Sequence, residues 1–193
     1  MNSQARPAGR GSIPAPGLLI LTGASHTGKT TVASGVLKAV PPPAAFLSVD
    51  EVLQRTLRRV PGEIWSGIPL AYELIGAQLG ILLDRGWFVV VESTFTYVPA
   101  RGDGEFHSEA LESLLAEAGS RDAPVLLVQL TAPENVVLER AEQTGRLDPS
   151  IVSATVALHG SATFPLSPEA IDTTALDAEE SVARILDRLE GGA

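Results

Sequence analysis

Cysteine is absent from the chain. That excludes a disulfide framework, a thiolate nucleophile and a cysteine-bound zinc site. Lysine is scarce: Lys29 and Lys38 stand among 14 basic residues, against 23 acidic ones, for a net charge of −9. Extended nucleic-acid binding relies on surplus positive charge to displace counterions from phosphates, so a nucleic-acid-coating role is disfavoured. Long apolar runs are missing too. Trp87–Val91 and Val125–Val128 are short, whereas a transmembrane helix takes roughly 18 or more apolar residues. Arg6 and Arg10 are followed by no apolar stretch before Pro14 and Pro16, so no secretory leader is expected and the cytoplasm is the expected location.

Apolar material is nonetheless plentiful, at 45% of 193 residues with a mean hydropathy of +0.19. This suffices for a packed core and excludes global disorder. The length predicts one domain with room for a small lid. Residues 1–16 mix Ser, Gln, Arg, Gly and Pro without period and read as a flexible tail.

From Leu18 onward, strand and helix signals alternate. The expected strands are Leu18–Leu21, Ala45–Val49, Trp87–Val91, Val125–Leu130 and Ala170–Thr173. The expected helices are Thr30–Val40, Asp50–Arg59, Leu70–Arg85, Glu105–Ala118, Pro133–Gln143, Pro149–Leu158 and Ala178–Leu189. Short, continuously apolar strands between helices predict a parallel sheet covered on both faces. Such sheets take ligands beyond the carboxyl ends of their strands.

Gly23-Ala24-Ser25-His26-Thr27-Gly28-Lys29-Thr30 matches G-x-x-x-x-G-K-[ST] at every position, and Thr31 continues it. A strand precedes it and a helix follows, as the motif requires. Its glycines let successive N–H groups turn inward as an anion nest, and the helix N-terminus adds its positive end. Lys29 is placed to reach β- and γ-phosphates, and the Thr30 hydroxyl to ligate Mg²⁺. His26, at an unconstrained position, reads as a solvent-facing neighbour of the phosphates.

Two carboxylates stand at expected strand ends on the same rim: Asp50 after Phe46–Val49, and Glu92 after Val89–Val91. Asp50 is the candidate general base for an alcohol, or the N-cap of the next helix. Glu92 is a candidate for magnesium, for its water shell or for substrate. Arg140 and Arg146 flank the end of an expected helix, where a closing lid would bring them to phosphates. Arg55, Arg58 and Arg59 share one helical side, with Arg59 the candidate for an anionic acceptor and solvation the competing role. Trp65, in the Gly- and Pro-rich Pro61–Pro69 segment, is a candidate acceptor contact, as is Tyr97. The Ala170–Leu176 segment is where a base could rest.

Together these motifs resemble small P-loop kinases of the chloramphenicol phosphotransferase-like and zeta-toxin-like groups. The matching stretches are Gly23–Thr31, Leu47–Val52, Gly86–Thr94, Leu130–Pro133, Leu138–Arg140 and Gly145-Arg146. The resemblance implies an α/β P-loop NTPase fold of three layers over 17–193. Its five-stranded sheet would have order 2-3-1-4-5, with a short helical lid at about residues 138–160. It implies ATP and Mg²⁺ as cofactors, Asp50 as the base and Arg140 with Arg146 as an ATP clamp. Such lids often repeat an arginine four residues on, where this chain has Thr144.

The expected activity is transfer of the γ-phosphate of ATP to a hydroxyl of a small molecule, such as an antibiotic, a sugar nucleotide or a metabolite. The alternatives are a nucleotide-binding regulatory module without transfer and a polynucleotide 5′-hydroxyl kinase. Expected partners are a small acceptor, with no membrane and no nucleic acid. The oligomeric state and a GTP donor are left open.

Overall fold

The structure is a computed structural model that describes residues 13–57, 67–98, 104–145 and 148–191. Five parallel strands form the central sheet: β1 (Gly17–Thr22), β2 (Ala44–Ser48), β3 (Phe88–Glu92), β6 (Val125–Thr131) and β7 (Glu169–Asp172). Between β3 and β6 the chain forms a separate antiparallel ribbon, β4 (Thr96–Tyr97) with β5 (Glu105–Phe106). Numbered along the chain, the sheet order is therefore β2-β3-β1-β6-β7 rather than 2-3-1-4-5. The two extra strands carry only two residues each, too few to leave an alternating pattern in the sequence.

Strand alternation sends neighbouring side chains to opposite faces. Leu18, Ile20, Val89, Val91 and Leu127 face one core, closed by α3 (Ile68–Asp84) and α4 (Ser108–Gly119). Leu19, Leu21, Phe88, Val90 and Val128 face the other, closed by α1 (Lys29–Ala39) and α7 (Ala178–Gly191). Burying each such side chain contributes about 1.5–3 kcal/mol. Ile13, inside the stretch read as a tail, packs against the second core. Two further helices, α5 (Glu134–Thr144) and α6 (Pro149–Ser161), pair over a small core of Val137, Ala141 and Val152. Pro149 stands in the first turn of α6, and the Asp148 side chain caps it by accepting from the Ser150 N–H.

Two local expectations are corrected. β2 stops at Ser48, and a short α2 (Val49–Glu51) runs into a π-turn over Val52–Thr56. Asp50 therefore lies inside α2, not at the strand end and not as the cap. Ser48 is the cap, its hydroxyl accepting from the Glu51 N–H at 3.4 Å. The wide turn closes when the Leu57 N–H reaches the Val52 carbonyl at 3.0 Å, so the long helix expected over 50–59 does not start as a regular one. The helix expected from Glu105 begins instead at Ser108, because Glu105 and Phe106 pair with β4 and the His107 N–H donates to the Phe95 carbonyl at 2.7 Å.

Candidate active site

β1 delivers the chain into the loop between Gly23 and Gly28, and α1 leads out of it. Gly23 has φ 143°, and a Cβ there would lie 2.3 Å from the Leu130 carbonyl, so no other residue fits. Gly28 caps α1 in the left-handed region, at φ 90°. The Thr27 hydroxyl donates to the Ala24 carbonyl at 2.9 Å and braces the loop from inside. The buried Lys29 ammonium donates to the carbonyls of Gly23, at 3.0 Å, and Ala24, at 2.9 Å. Burial lowers its pKa, while the nearby carboxylates of Glu92 and Asp50 pull it back up. The result is a glycine-bounded loop at a helix N-terminus with one buried cation beside it, which is the make-up of an anion site.

Glu92 closes β3, in register with Leu21 of β1 and Ser48 of β2. Its Oε1 accepts the Thr30 hydroxyl at 2.7 Å. Burial raises its pKa, against the pull of the Thr30 bond and of Lys29. Thr30 and Glu92 thus offer two hard oxygen donors beside the lysine. That set fits Mg²⁺, which keeps most of its waters and takes few protein ligands alongside substrate phosphates. Among the described residues, no group of three or more His, Cys, Asp or Glu side chains could hold a metal by itself. Asp50 is exposed, and its charge acts on Lys29 and Glu92 alike. Next to it, Glu51 pairs with Arg55 at 3.5 Å.

On the other side of the loop, Arg140 reaches out of α5. Its guanidinium donates to the Thr173 hydroxyl and carbonyl, both at 3.0 Å, and to the His26 carbonyl at 3.5 Å. The Thr173 hydroxyl passes its own proton to the Thr131 carbonyl at 3.1 Å, tying the segment after β7 to β6. Between loop, arginine and segment lies a cavity of about 480 Å³, lined by His26, Gly28, Thr31, Arg140, Thr173 and Leu176 among others. Its size and its place beside the loop suit a nucleoside.

The structure thus brings together Gly23–Thr31, Asp50, Glu92 and Arg140. Arg58, Arg59, Trp65 and Arg146 lie outside the described residues. Three site residues escaped the sequence reading. Thr173 is one, although the segment holding it was singled out. Tyr72, on α3, exchanges a hydrogen bond with Ser93 at 2.8 Å and stacks on Phe95 with ring centroids 5.5 Å apart. His159, on α6, is buried, edge-on to Phe106 with centroids 5.8 Å apart. A lone tyrosine and a lone histidine inside apolar helices leave no spacing signature, so only the folded arrangement reveals them.

Fold and site together define an α/β protein of the P-loop kinase type. The chain belongs to the AAA domain family AAA_33, whose model matches residues 18–165. None of the curated proteins matches it in sequence. Among solved structures it is similar to a proposed kinase from Chloroflexus aurantiacus, with TM-score 0.70, 18% identity, and 94% of this chain and 100% of that one covered. It is also similar to a gluconokinase from Sinorhizobium meliloti, with TM-score 0.61, 19% identity, and 94% and 96% covered. A third likeness is to the Mycobacterium tuberculosis APS kinase CysC in complex with AMPPNP and APS, with TM-score 0.62, 17% identity, and 94% and 98% covered. At these identities the likeness is one of fold. Among the described residues, no helix is long and apolar enough to cross a membrane.

Proposed function

We propose that the protein is an ATP-dependent phosphotransferase that moves the γ-phosphate to a hydroxyl of a small-molecule acceptor. The observation that carries this reading is the alignment of three parts along one rim. A nucleoside-sized cavity is lined by Arg140 and the loop, Lys29 seats its ammonium in that loop, and the Thr30–Glu92 pair follows, with Asp50 close enough for its charge to act on both Lys29 and Glu92. That is the order of base, phosphates and acceptor. The resemblance to chloramphenicol phosphotransferase-like and zeta-toxin-like kinases supports the same order.

Lys29 exchanges its loop carbonyls for the β- and γ-phosphates. Arg140 steadies the nucleotide from α5. Thr30 and Glu92 hold Mg²⁺, which neutralises charge that develops on the phosphates. Asp50, exposed one turn beyond β2, accepts the proton of the attacking hydroxyl. The α5–α6 pair serves as the lid. Mg-ATP consumption by the purified protein over hydroxylated small molecules tests this, with Lys29→Ala as the blank. One compound should raise ADP release far above background and gain a phosphate by mass. ATP binding with no stimulated release by any compound would favour a regulatory nucleotide-binding role instead.

A further inference from the structure

The acceptor side of the site has a definite chemistry. Among the described residues its charged groups beyond Lys29 are acidic: Asp50 and Glu51, whose charges act on Glu92, and Glu92 itself. The described arginine nearest to them in sequence, Arg55, is already paired with Glu51. An acceptor carrying phosphate, sulfate or carboxylate would meet like charge there, and such juxtapositions cost several kcal/mol.

An aromatic wall runs beside these carboxylates. Tyr72 stacks on Phe95 and tilts toward His107, with centroids 6.0 Å apart. Phe95 meets Phe106 at 6.4 Å, and Phe106 meets His159 at 5.8 Å and Phe164 at 5.1 Å. Tyr72 lies close enough to Asp50 to feel its charge, and His159 close enough to feel Lys29. Phe95 and His159 are buried, while Tyr72, Phe106, His107 and Phe164 keep part of their surface open.

His159 adds a polar observation. It is only 6% exposed, and neither ring nitrogen meets a partner at hydrogen-bond geometry, although the Thr94 backbone lies beside it. A buried polar group without a partner costs about 1–3 kcal/mol. It is the kind of group a bound ligand satisfies. Burial and the charge of Lys29 also hold its pKa down, to about 4, so at neutral pH it offers one donor and one acceptor without charge.

We propose that the acceptor is an uncharged or cationic hydroxyl compound with a flat apolar body, lying against the part-open rings of Tyr72, Phe106 and Phe164 and hydrogen-bonded by His159. The inference rests on the phosphotransferase reading and names its substrate class. In the transfer, the acceptor oxygen bonds to the γ-phosphorus. The bond from that phosphorus to the β–γ bridging oxygen breaks, and ADP leaves with the electron pair. The acceptor proton passes to the Asp50 carboxylate.

The test is Mg-ATP turnover over a library of hydroxyl compounds balanced between charge classes and built from matched pairs. Such pairs include 4-nitrophenyl glucoside with 4-nitrophenyl glucuronide, methyl glucoside as the ring-free control, and nucleosides with their 5′-monophosphates. Each hit is confirmed by mass, and ATP binding is titrated in parallel. Hits should be aryl-bearing and uncharged or cationic, with kcat/KM at least about tenfold above their anionic partners, a gap of roughly 1.4 kcal/mol. Anionic compounds turned over equally well or better would overturn the inference and leave the phosphotransferase reading standing. ATP binding with no acceptor of either class would overturn both.

With the best hit, Phe164→Leu and His159→Gln separate recognition from packing. Each should raise the acceptor KM about tenfold, with kcat, the KM for ATP and the Tm little changed. An unchanged acceptor KM in both, with or without a lower Tm, makes the wall core packing alone and ends the proposal.

Discussion

Around Lys29 the molecule presents main chain: the Gly23 and Ala24 carbonyls hold the ammonium, and even Arg140 is held largely through the His26 and Thr173 carbonyls. Toward Asp50 it presents side chains: three carboxylates, then a row of aromatic rings that leads from Tyr72 to Phe164 and His159, drawn from five elements and the loops beside them. The two ends of the proposed transfer site are thus made of different material. Main-chain sites are dictated by a few glycines at fixed spacing. Side-chain sites depend on which residues happen to converge, so they are free to vary in what they accept.

That contrast can be broken or sharpened by substitution. The largest effect belongs to Lys29→Ala, which should lower turnover by roughly a thousandfold through loss of charge stabilisation at the phosphates. Comparable turnover in the variant would detach the loop from the chemistry. Asp50→Asn should follow, lowering kcat by about a hundredfold or more while nucleotide affinity, read by titration, stays put. A matching loss of nucleotide affinity would move Asp50 to the donor end and erase the division.

Arg140→Ala should act the opposite way. Nucleotide Kd rises by about tenfold, as expected for one charge-assisted contact, and the acceptor KM does not move. Glu92→Gln should separate function from stability. Burial disfavours the Glu92 carboxylate, so the amide raises the Tm by a few degrees, yet Mg²⁺-dependent turnover falls. A lowered Tm would mean that the Thr30 bond outweighs the burial cost.

A last effect concerns stability and pH. His159 titrates at about 4 in the fold against 6.5 for the free side chain. The unfolded chain therefore binds the extra proton between those values, and stability rises with pH across that window. The full span amounts to about 3 kcal/mol. In His159→Gln, denaturant unfolding between pH 4 and 6.5 should show a correspondingly flatter slope, and an unchanged slope would place the histidine in a wetter setting.

The same division explains what the sequence discloses. The strands of the sheet announce themselves, because a strand buried on both faces must be apolar throughout, as in Leu18–Leu21 and Val89–Val91. The Gly23–Thr30 loop is equally plain, since its spacing follows from backbone geometry. Glu92 was legible as a strand-end carboxylate, but its bond to Thr30 was not, because that depends on the register between β1 and β3. Asp50 is legible to within two residues of the strand end, but the cap that the sequence offers as its alternative role belongs to Ser48, two residues earlier. The β4–β5 ribbon, Tyr72 and His159 stayed hidden. Their meaning arises only from contacts between elements far apart in the chain, and no local period encodes those.

The carbonyls that hold Lys29 have a further consequence. An ammonium with no seat in the empty loop would cling to whatever phosphate arrived, spent nucleotide included. Here Gly23 and Ala24 offer it a standing alternative at 3.0 and 2.9 Å. In the proposed transfer each departing ADP would be replaced by these two hydrogen bonds, which brings the empty and loaded states closer in energy. The loop is therefore equipped to let go as well as to grip, and repeated cycles need both.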